Sequence, residues 1–276
     1  MIQVKMFLYN LFPKRLKNKL GSSKILEPLR NSFFRSNGSY NEVQAKIKRE
    51  YLKCIVEFNF YASIQVANKA KNKGIENTLL NNSIELLKST TDDKIIFDVG
   101  TNFGYLSLVW AKSVSKNGKV YSFEPHPLLY NSYKRSVKSN NLEDIIVTEN
   151  VAVGNELGII DINFLSTTSN TLNLESNKKN NKKGNVNIIT LDHYVEKNSV
   201  NRCDLIKIDV DGIEFEILKG SQELIKKLHP IFIVETNRDS RIIDFFIKND
   251  YQILNMQLKP IIEGELPLNI FCIPNF

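Results

Sequence analysis

Hydrophobic positions follow two different rhythms along the chain. From Tyr40 to Lys73, Val43, Ile47, Leu52, Ile55, Phe58 and Ala62 recur at intervals near three to four, which predicts a long helix closed at Gly74. A second helix is expected over about 76–89. From Lys94 onward, short apolar runs alternate with amphipathic stretches. They predict strands at 94–98, 119–123, 145–149, 205–209 and 231–235, and helices at 103–115, 127–140, 213–227 and 239–249. Continuous apolar strands alternating with helices mean a mostly parallel sheet covered on both faces, a doubly wound α/β fold. Between the third and fourth of these strands, SNTLNLESNKKNNKKGN (169–185) is polar and rich in Asn and Lys, and is expected to be a mobile loop, either simply solvated or serving as a lid or substrate loop. The pattern divides the chain into a helical extension or cap at 1–90 and an α/β domain at 91–276.

Composition narrows this picture. With 276 residues, 42% hydrophobic and 24% charged, the chain can bury a sizeable core, and only 12 Gly and 8 Pro rule out a linker or collagen-like polymer. No run of 18 apolar residues is present to span a membrane as a helix. Cys54, Cys203 and Cys272 are odd in number and widely spaced, which argues against a disulfide scaffold or a Cys-rich zinc site and for a cytoplasmic setting. The net charge of +7 is uneven: residues 1–74 hold 15 Lys/Arg against 4 Asp/Glu, the remainder 22 against 26. A basic nucleic-acid groove through the α/β domain is therefore not expected. The basic start, with Phe7, Leu8, Leu11 and Phe12 set above Lys14, Arg15, Lys17 and Lys19, suits contact with an anionic partner or the inner membrane face.

Candidate chemistry sits where strands end. IIFDVGTNFGYLSLVWA (95–111) runs from a buried strand through Asp98 into a turn with Gly100 and Gly104 and then a helix, a geometry that lets a ligand approach backbone closely. The turn lacks GxGxxG, so a nicotinamide dinucleotide is disfavoured. A carboxylate at this strand end instead suits a cationic ligand such as a sulfonium cofactor with an α-amino group. Glu124, ending VYSFEPHP (120–127), can accept hydrogen bonds from two ribose hydroxyls. In TENVAVGN (148–155), Val151 and Ala152 offer an apolar bed for adenine with Asn150 in reach; Asn150 serves equally as a strand-closing residue. DLIKIDVDGIEFEILKG (204–220) sets Asp209, Asp211 and Glu214 at the next carboxyl end, beside Glu235 and Asn237 of IVETN (233–237). Such crowding raises at least one carboxyl pKa or recruits a cation.

DVGTNFGYLSL, VYSFEPHP, ENVAVGN, ITLDHY and IKIDVDGIEFEILKG with PIFIVET resemble the FkbM-type S-adenosylmethionine-dependent methyltransferases over about 94–250. The resemblance implies the class I methyltransferase fold, a Rossmann-like seven-stranded sheet with an antiparallel last strand, for which 251–256 and 268–273 would supply the final pair. It implies that Asp98, Gly100 and Gly104, with Asn102 in the same turn, hold the methionine part of the cofactor and Glu124 the ribose. It also implies methylation of hydroxyls on sugars, glycans or glycosylated metabolites. The family segment usually reads Asp-Val-Glu-Gly, whereas here Asp211 shortens the acid by one methylene.

A sugar hydroxyl needs help to lose its proton. Asp209 or Asp211 is the expected base, with His193 a third candidate. Alternatively Asp209, Glu235 and Asn237 hold Mg²⁺, as the resemblance of this strand-end arrangement to catechol-type O-methyltransferases suggests. Two other classes stay open: a non-catalytic module binding S-adenosylmethionine or a nucleotide, and an RNA methyltransferase, for which only the basic N-terminal stretch speaks.

Overall fold

The computed structural model describes residues 11–13, 35–36, 39–88, 93–163, 183–262 and 264–275. The basic amphipathic stretch at 1–38 and the Asn- and Lys-rich 169–185 lie largely outside them. Among the described residues no helix is long and apolar enough to cross a membrane.

The chain opens with a short antiparallel pair, β1 (Arg35–Ser36) and β2 (Ser39–Tyr40). Then comes a long hairpin, β3 (Glu42–Tyr51) with β4 (Cys54–Ser63), followed by α1 (Ile64–Lys73) and α2 (Asn77–Leu87). The helix expected over 40–73 therefore exists only from Ile64. Val43, Ala45 and Ile47 on β3, and Val56, Phe58, Phe60 and Ala62 on β4, are buried every second residue. Several of these positions also fall near a helical interval, and the true period of two emerges only with Ala45 and Phe60 included. The turn hid itself as well. Leu52 and Lys53 both carry positive φ (45° and 67°), the backbone of a tight hairpin turn normally signalled by Asn-Gly. Each costs about 1 kcal/mol there relative to glycine or asparagine. The double change Leu52→Asn/Lys53→Gly is thus expected to raise the melting midpoint by about 2–4 °C in calorimetry, and an unchanged midpoint would refute the turn assignment.

The α/β part runs β5 (Ile95–Val99), α3 (Tyr105–Ser113), β6 (Lys119–Phe123), α4 (Pro127–Ser139) and β7 (Ile146–Glu149). A side sheet of β8 (Ala152–Val153), β9 (Gly158–Asn163) and β10 (Lys183–Ile189) follows in the order β8-β10-β9, and this sheet was not anticipated. The chain returns through α5 (Leu191–Lys197), β11 (Leu205–Ile208), α6 (Glu214–Lys219), α7 (Gln222–Leu228), β12 (Ile231–Glu235), α8 (Ser240–Lys248), β13 (Tyr251–Leu254) and β14 (Asn269–Pro274). The main sheet has seven strands in the order β13-β14-β12-β11-β5-β6-β7. Only β14 runs antiparallel to its neighbours, as expected for the final pair.

The single helix expected at 213–227 is broken at Gly220 and Ser221. A Cβ on Gly220 would sit 2.2 Å from the Gly154 carbonyl oxygen. Asp192 caps the second piece by accepting from Glu223 N–H (3.1 Å) and Leu224 N–H (2.8 Å).

One face of the sheet is covered by α5–α8, the other by α2–α4, and the hairpin forms an additional outer layer over the second face. Tyr105 packs edge-on against Phe58 and Phe60 at 5.5 and 5.4 Å. Asn140 locks α4 to the hairpin through the Asn59 backbone (2.8 and 2.7 Å). Trp110, fully buried, donates to Ser83 of α2 (2.9 Å). The N-terminal segment thus shares a hydrophobic core with α3 and α4.

Candidate functional site

The turn after β5 runs from Gly100 to Gly104. Both glycines have φ of 79°, in the left-handed region where a Cβ is strained. The space their missing side chains leave is filled by the protein itself. A Cβ on Gly100 would lie 1.9 Å from the Asp209 carbonyl oxygen, and one on Gly104 1.8 Å from the Tyr133 ring. The glycines let β11 and α4 close onto the turn, a different reason from the ligand approach expected.

Asp98 is buried (1% exposed). Its Oδ2 accepts from Ser107, which continues through Ser122 to Tyr133 as a buried polar chain. Its Oδ1 lies 3.7 Å from Lys207 Nζ and is a buried acceptor with no hydrogen-bond partner in the protein. Burial raises the Asp98 pKa, and Lys207 and Ser107 offset part of that rise.

Glu124 is also buried, with Oε2 accepting from Asn102 N–H (2.7 Å) and Oε1 from His126 N–H (2.8 Å). Desolvation pushes its pKa up to about 7 against the pull of those two amides. It braces the Asn102 turn from behind, and each carboxylate oxygen keeps a lone pair for a second donor. Asn150 spends its amide on the Glu124 and Pro125 carbonyls (2.8 and 3.0 Å), the strand-closing role. Ala152 is buried within β8.

At the end of β11 the decisive side chain is Lys207, which sequence reasoning passed over. It is 5% exposed in a strand whose four residues are all buried. Its Nζ donates to Gly100 O at 3.2 Å and pairs with Asp209 at 3.2 Å as well as Asp98. Burial opposes its charge, but Asp209 and Asp98 more than compensate, and its pKa is raised. A lysine inside an otherwise apolar buried strand was the available signal. Burial likewise opposes ionisation of Asp209, yet Lys207 and a hydrogen bond with Glu235 outweigh it and lower its pKa. Glu235 moves the other way, pushed up to about 8 by desolvation, by that hydrogen bond and by the neighbouring charge of Asp209. The opposite shifts are those of two hydrogen-bonded carboxyls that titrate as a pair.

The remaining acids separate. Glu214 is buried and accepts from Val210 N–H, Gly212 N–H and Asn237 Nδ2 (3.3, 3.0 and 3.0 Å), so it shapes the turn. Asp211 sits in that turn with φ of 62°, exposed to a cavity. His193 lies on α5 and lines neither of the cavities described below. Of the Asp209, Glu235 and Asn237 set expected to hold Mg²⁺, two members have other partners. Asn237 is turned to Glu214, and the Lys207 ammonium already sits on Asp209. No group of three His, Cys, Asp or Glu among the described residues could hold a metal ion.

Two cavities meet at this strand end. The first, about 270 Å³, is bounded by Asp98, Gly100–Phe103 and Lys207 below, and by Phe60, Val66, Lys69 and Glu76 of the N-terminal segment above. The second, about 400 Å³, lies between Glu76–Leu79 and Glu235, Met256 and Asn269. Asp209 and Glu76 belong to both walls. Glu124, Asn150 and Ala152 line neither.

The sheet order with its one antiparallel strand, and a cavity at the carboxyl ends of adjacent strands β5 and β11, define the class I methyltransferase architecture. Residues 98–253 match the methyltransferase FkbM domain, more than half of the chain, and the protein belongs to that family. A protein-L-isoaspartate(D-aspartate) O-methyltransferase domain matches 20–156. Hexuronic acid methyltransferase AglP of Haloferax volcanii is 24% identical, over 54% of this chain and 58% of its own. Methyltransferase sdnD of Sordaria araneosa is 24% identical over 51% and 65%. The match thus spans less than two thirds of each of these curated relatives. Among solved structures, FkbM methyltransferase from Methylobacillus flagellatus has a TM-score of 0.47 at 17% identity, covering 67% of this chain and 45% of that one.

Proposed function

We propose that the protein is an S-adenosylmethionine-dependent methyltransferase acting on a hydroxyl of a sugar, glycan or glycosylated metabolite. The observation that carries the reading is Asp209 in the wall common to two cavities, one bounded by the Asp98–Phe103 turn and the other open beside Glu235. The hydroxyl-bearing acceptor rests on family membership and on the likeness to a hexuronic acid methyltransferase.

The first cavity fits the methionine end of the cofactor. Asp98 Oδ1, which makes no hydrogen bond and meets Lys207 only as an ion pair at 3.7 Å, suits an ammonium donor, and Asp211 and Glu76 add acidic groups to a wall in which Asp209 is already paired with Lys207. When bound, that cofactor would supply an electrophilic methyl group, its sulfur leaving as a neutral thioether with the electron pair of the former bond. The chain's own part is to align the acceptor and take its proton, which passes to the Asp209–Glu235 pair and then to water. Lys207 compensates the negative charge of the pair when it is fully ionised.

Calorimetric titration with S-adenosylmethionine, with NAD as control, tests the reading. Binding is expected for the wild type, and about 10–100-fold weaker binding for Asp98→Asn, the range of one lost hydrogen bond between charged groups. Absence of heat with the folded wild type sinks it and favours a module for another ligand.

A pH profile follows from the pair. Below pH about 8 Glu235 keeps its proton, and above it both acids are ionised and ready to accept one. The single-turnover rate is therefore expected to rise through pH about 8, and Glu235→Gln to remove that limb. A flat wild-type profile from pH 6 to 9 would exclude the pair as base.

A further inference from the structure

The family domain match begins at Asp98, yet half of the second cavity's wall comes from earlier in the chain. The turn between α1 and α2 places Glu76 there in a left-handed conformation (φ 48°, ψ 45°), at the N-cap of α2 but with no side-chain capping bond. Glu76 is open to solvent along part of its length and borders both cavities beside Asp209, where burial of its carboxyl raises the pKa and Lys207 offsets part of the rise. Asn77 and Thr78 follow on the same wall; the Asn77 amide is taken by Tyr51 (3.2 Å) and the Lys73 carbonyl (2.8 Å), which leaves the Thr78 hydroxyl and the Asn269 amide as polar groups alongside the acids. No Lys, Arg or His is among its described lining residues. The nearest cations lie in the first cavity: Lys69, and Lys207, whose charge is held by Asp98 and Asp209. Beyond Met256 and Asn269, which it shares, a more open groove of about 500 Å³ continues past Leu266, Pro267 and Leu268.

We propose that this second cavity is the acceptor chamber, and that Glu76 makes it selective for uncharged or amine-bearing sugar rings and against rings carrying a carboxylate or phosphate. The inference rests on the methyltransferase reading above. It assigns acceptor choice to a turn outside the family match, and it separates this chain from a relative whose name specifies a hexuronic acid. The physical basis is Glu76. Lys207 already neutralises Asp209 across the shared wall, so an anionic ring would face the Glu76 carboxylate with no unpaired cation among the described lining residues, whereas a neutral ring meets hydrogen-bonding partners and an ammonium meets a carboxylate. The apolar groove takes up the aglycone.

Three octyl glycosides with one tail and three charges provide the test: octyl glucoside, octyl glucosaminide and octyl glucuronide, each below its micelle concentration. Their binding is to be measured by ligand-observed NMR at pH 7, with and without S-adenosylhomocysteine. For the wild type, the glucoside and glucosaminide are expected to bind about 10-fold or more tightly than the glucuronide. Glu76→Gln should narrow that gap, and Glu76→Lys should turn the preference toward the glucuronide. Glucuronide binding equal to glucoside binding in the wild type overturns the proposal. So does an unchanged order in folded Glu76→Lys, or failure of all three ligands to bind. S-adenosylhomocysteine binding is scored separately, so its absence would count against the methyltransferase reading while the glycoside order still judges the chamber.

Discussion

Asp209→Asn is expected to slow methyl transfer by about 10²–10⁴-fold, the usual range for removing a positioned base, while changing S-adenosylhomocysteine affinity less than about threefold. The split follows from position. Asp209 lies in the wall between the two cavities, while Asp98 and the Gly100–Phe103 backbone border only the first. The substitution is nearly isosteric, and Lys207 keeps Asp98 and the Gly100 carbonyl as partners. A second readout separates chemistry from misfolding. Glu235 is held near 8 by desolvation first, and then by its hydrogen bond to Asp209 and by the charge of Asp209. The neutral amide removes the last of these, so a carboxyl titration followed by infrared spectroscopy should show the Glu235 midpoint moving down. An unaltered rate would move the base elsewhere, Asp211 being the nearest alternative.

Gly100→Ala should be the most damaging single methyl group in the protein. It forces a side chain onto a φ of 79° and sets Cβ 1.9 Å from a backbone oxygen, that of Asp209, which cannot rotate away. The left-handed backbone alone costs about 1–2 kcal/mol. Separating β5 from the end of β11 brings the expected loss to about 3–5 kcal/mol in urea unfolding, at the upper end for single substitutions. Gly212→Ala is the matched control. Its φ is 111°, but no atom lies within 4 Å of the added carbon, so only the conformational cost of about 1–2 kcal/mol should appear. Equal losses at the two positions would mean that the close approach of Asp209 to the turn is not what Gly100 serves.

Both predictions draw on residues legible in the chain, but for reasons that were not. Asp98, Gly100, Glu124 and Asp209 stood out because buried strands end in a polar residue followed by a turn, a purely local pattern. That Gly100 accommodates the Asp209 carbonyl, and that Glu124 already serves two backbone amides, depends on strands separated by many residues. Asn237 looked apt as a metal ligand, yet its side-chain amide donates to Glu214, while His193 lies on α5 outside the walls of both cavities. The hairpin was misread for a different cause. Its apolar spacing fits two periods, and no glycine or asparagine marks Leu52 and Lys53 as a turn.

The sequence by itself determined the strand–helix alternation, the positions of the strand ends and the family, since these reside in short runs whose burial and turn chemistry are set by neighbours in the chain. Only the tertiary structure decided that the N-terminal segment roofs the site with Glu76, and that a buried Lys207 supplies the cation between Asp98 and Asp209. It also decided that Asp209 and Glu235 meet, which lowers the pKa of one and raises that of the other. Charge state and shared walls depend on distances across packed layers, and residues far apart in the chain acquire those distances only when the layers close.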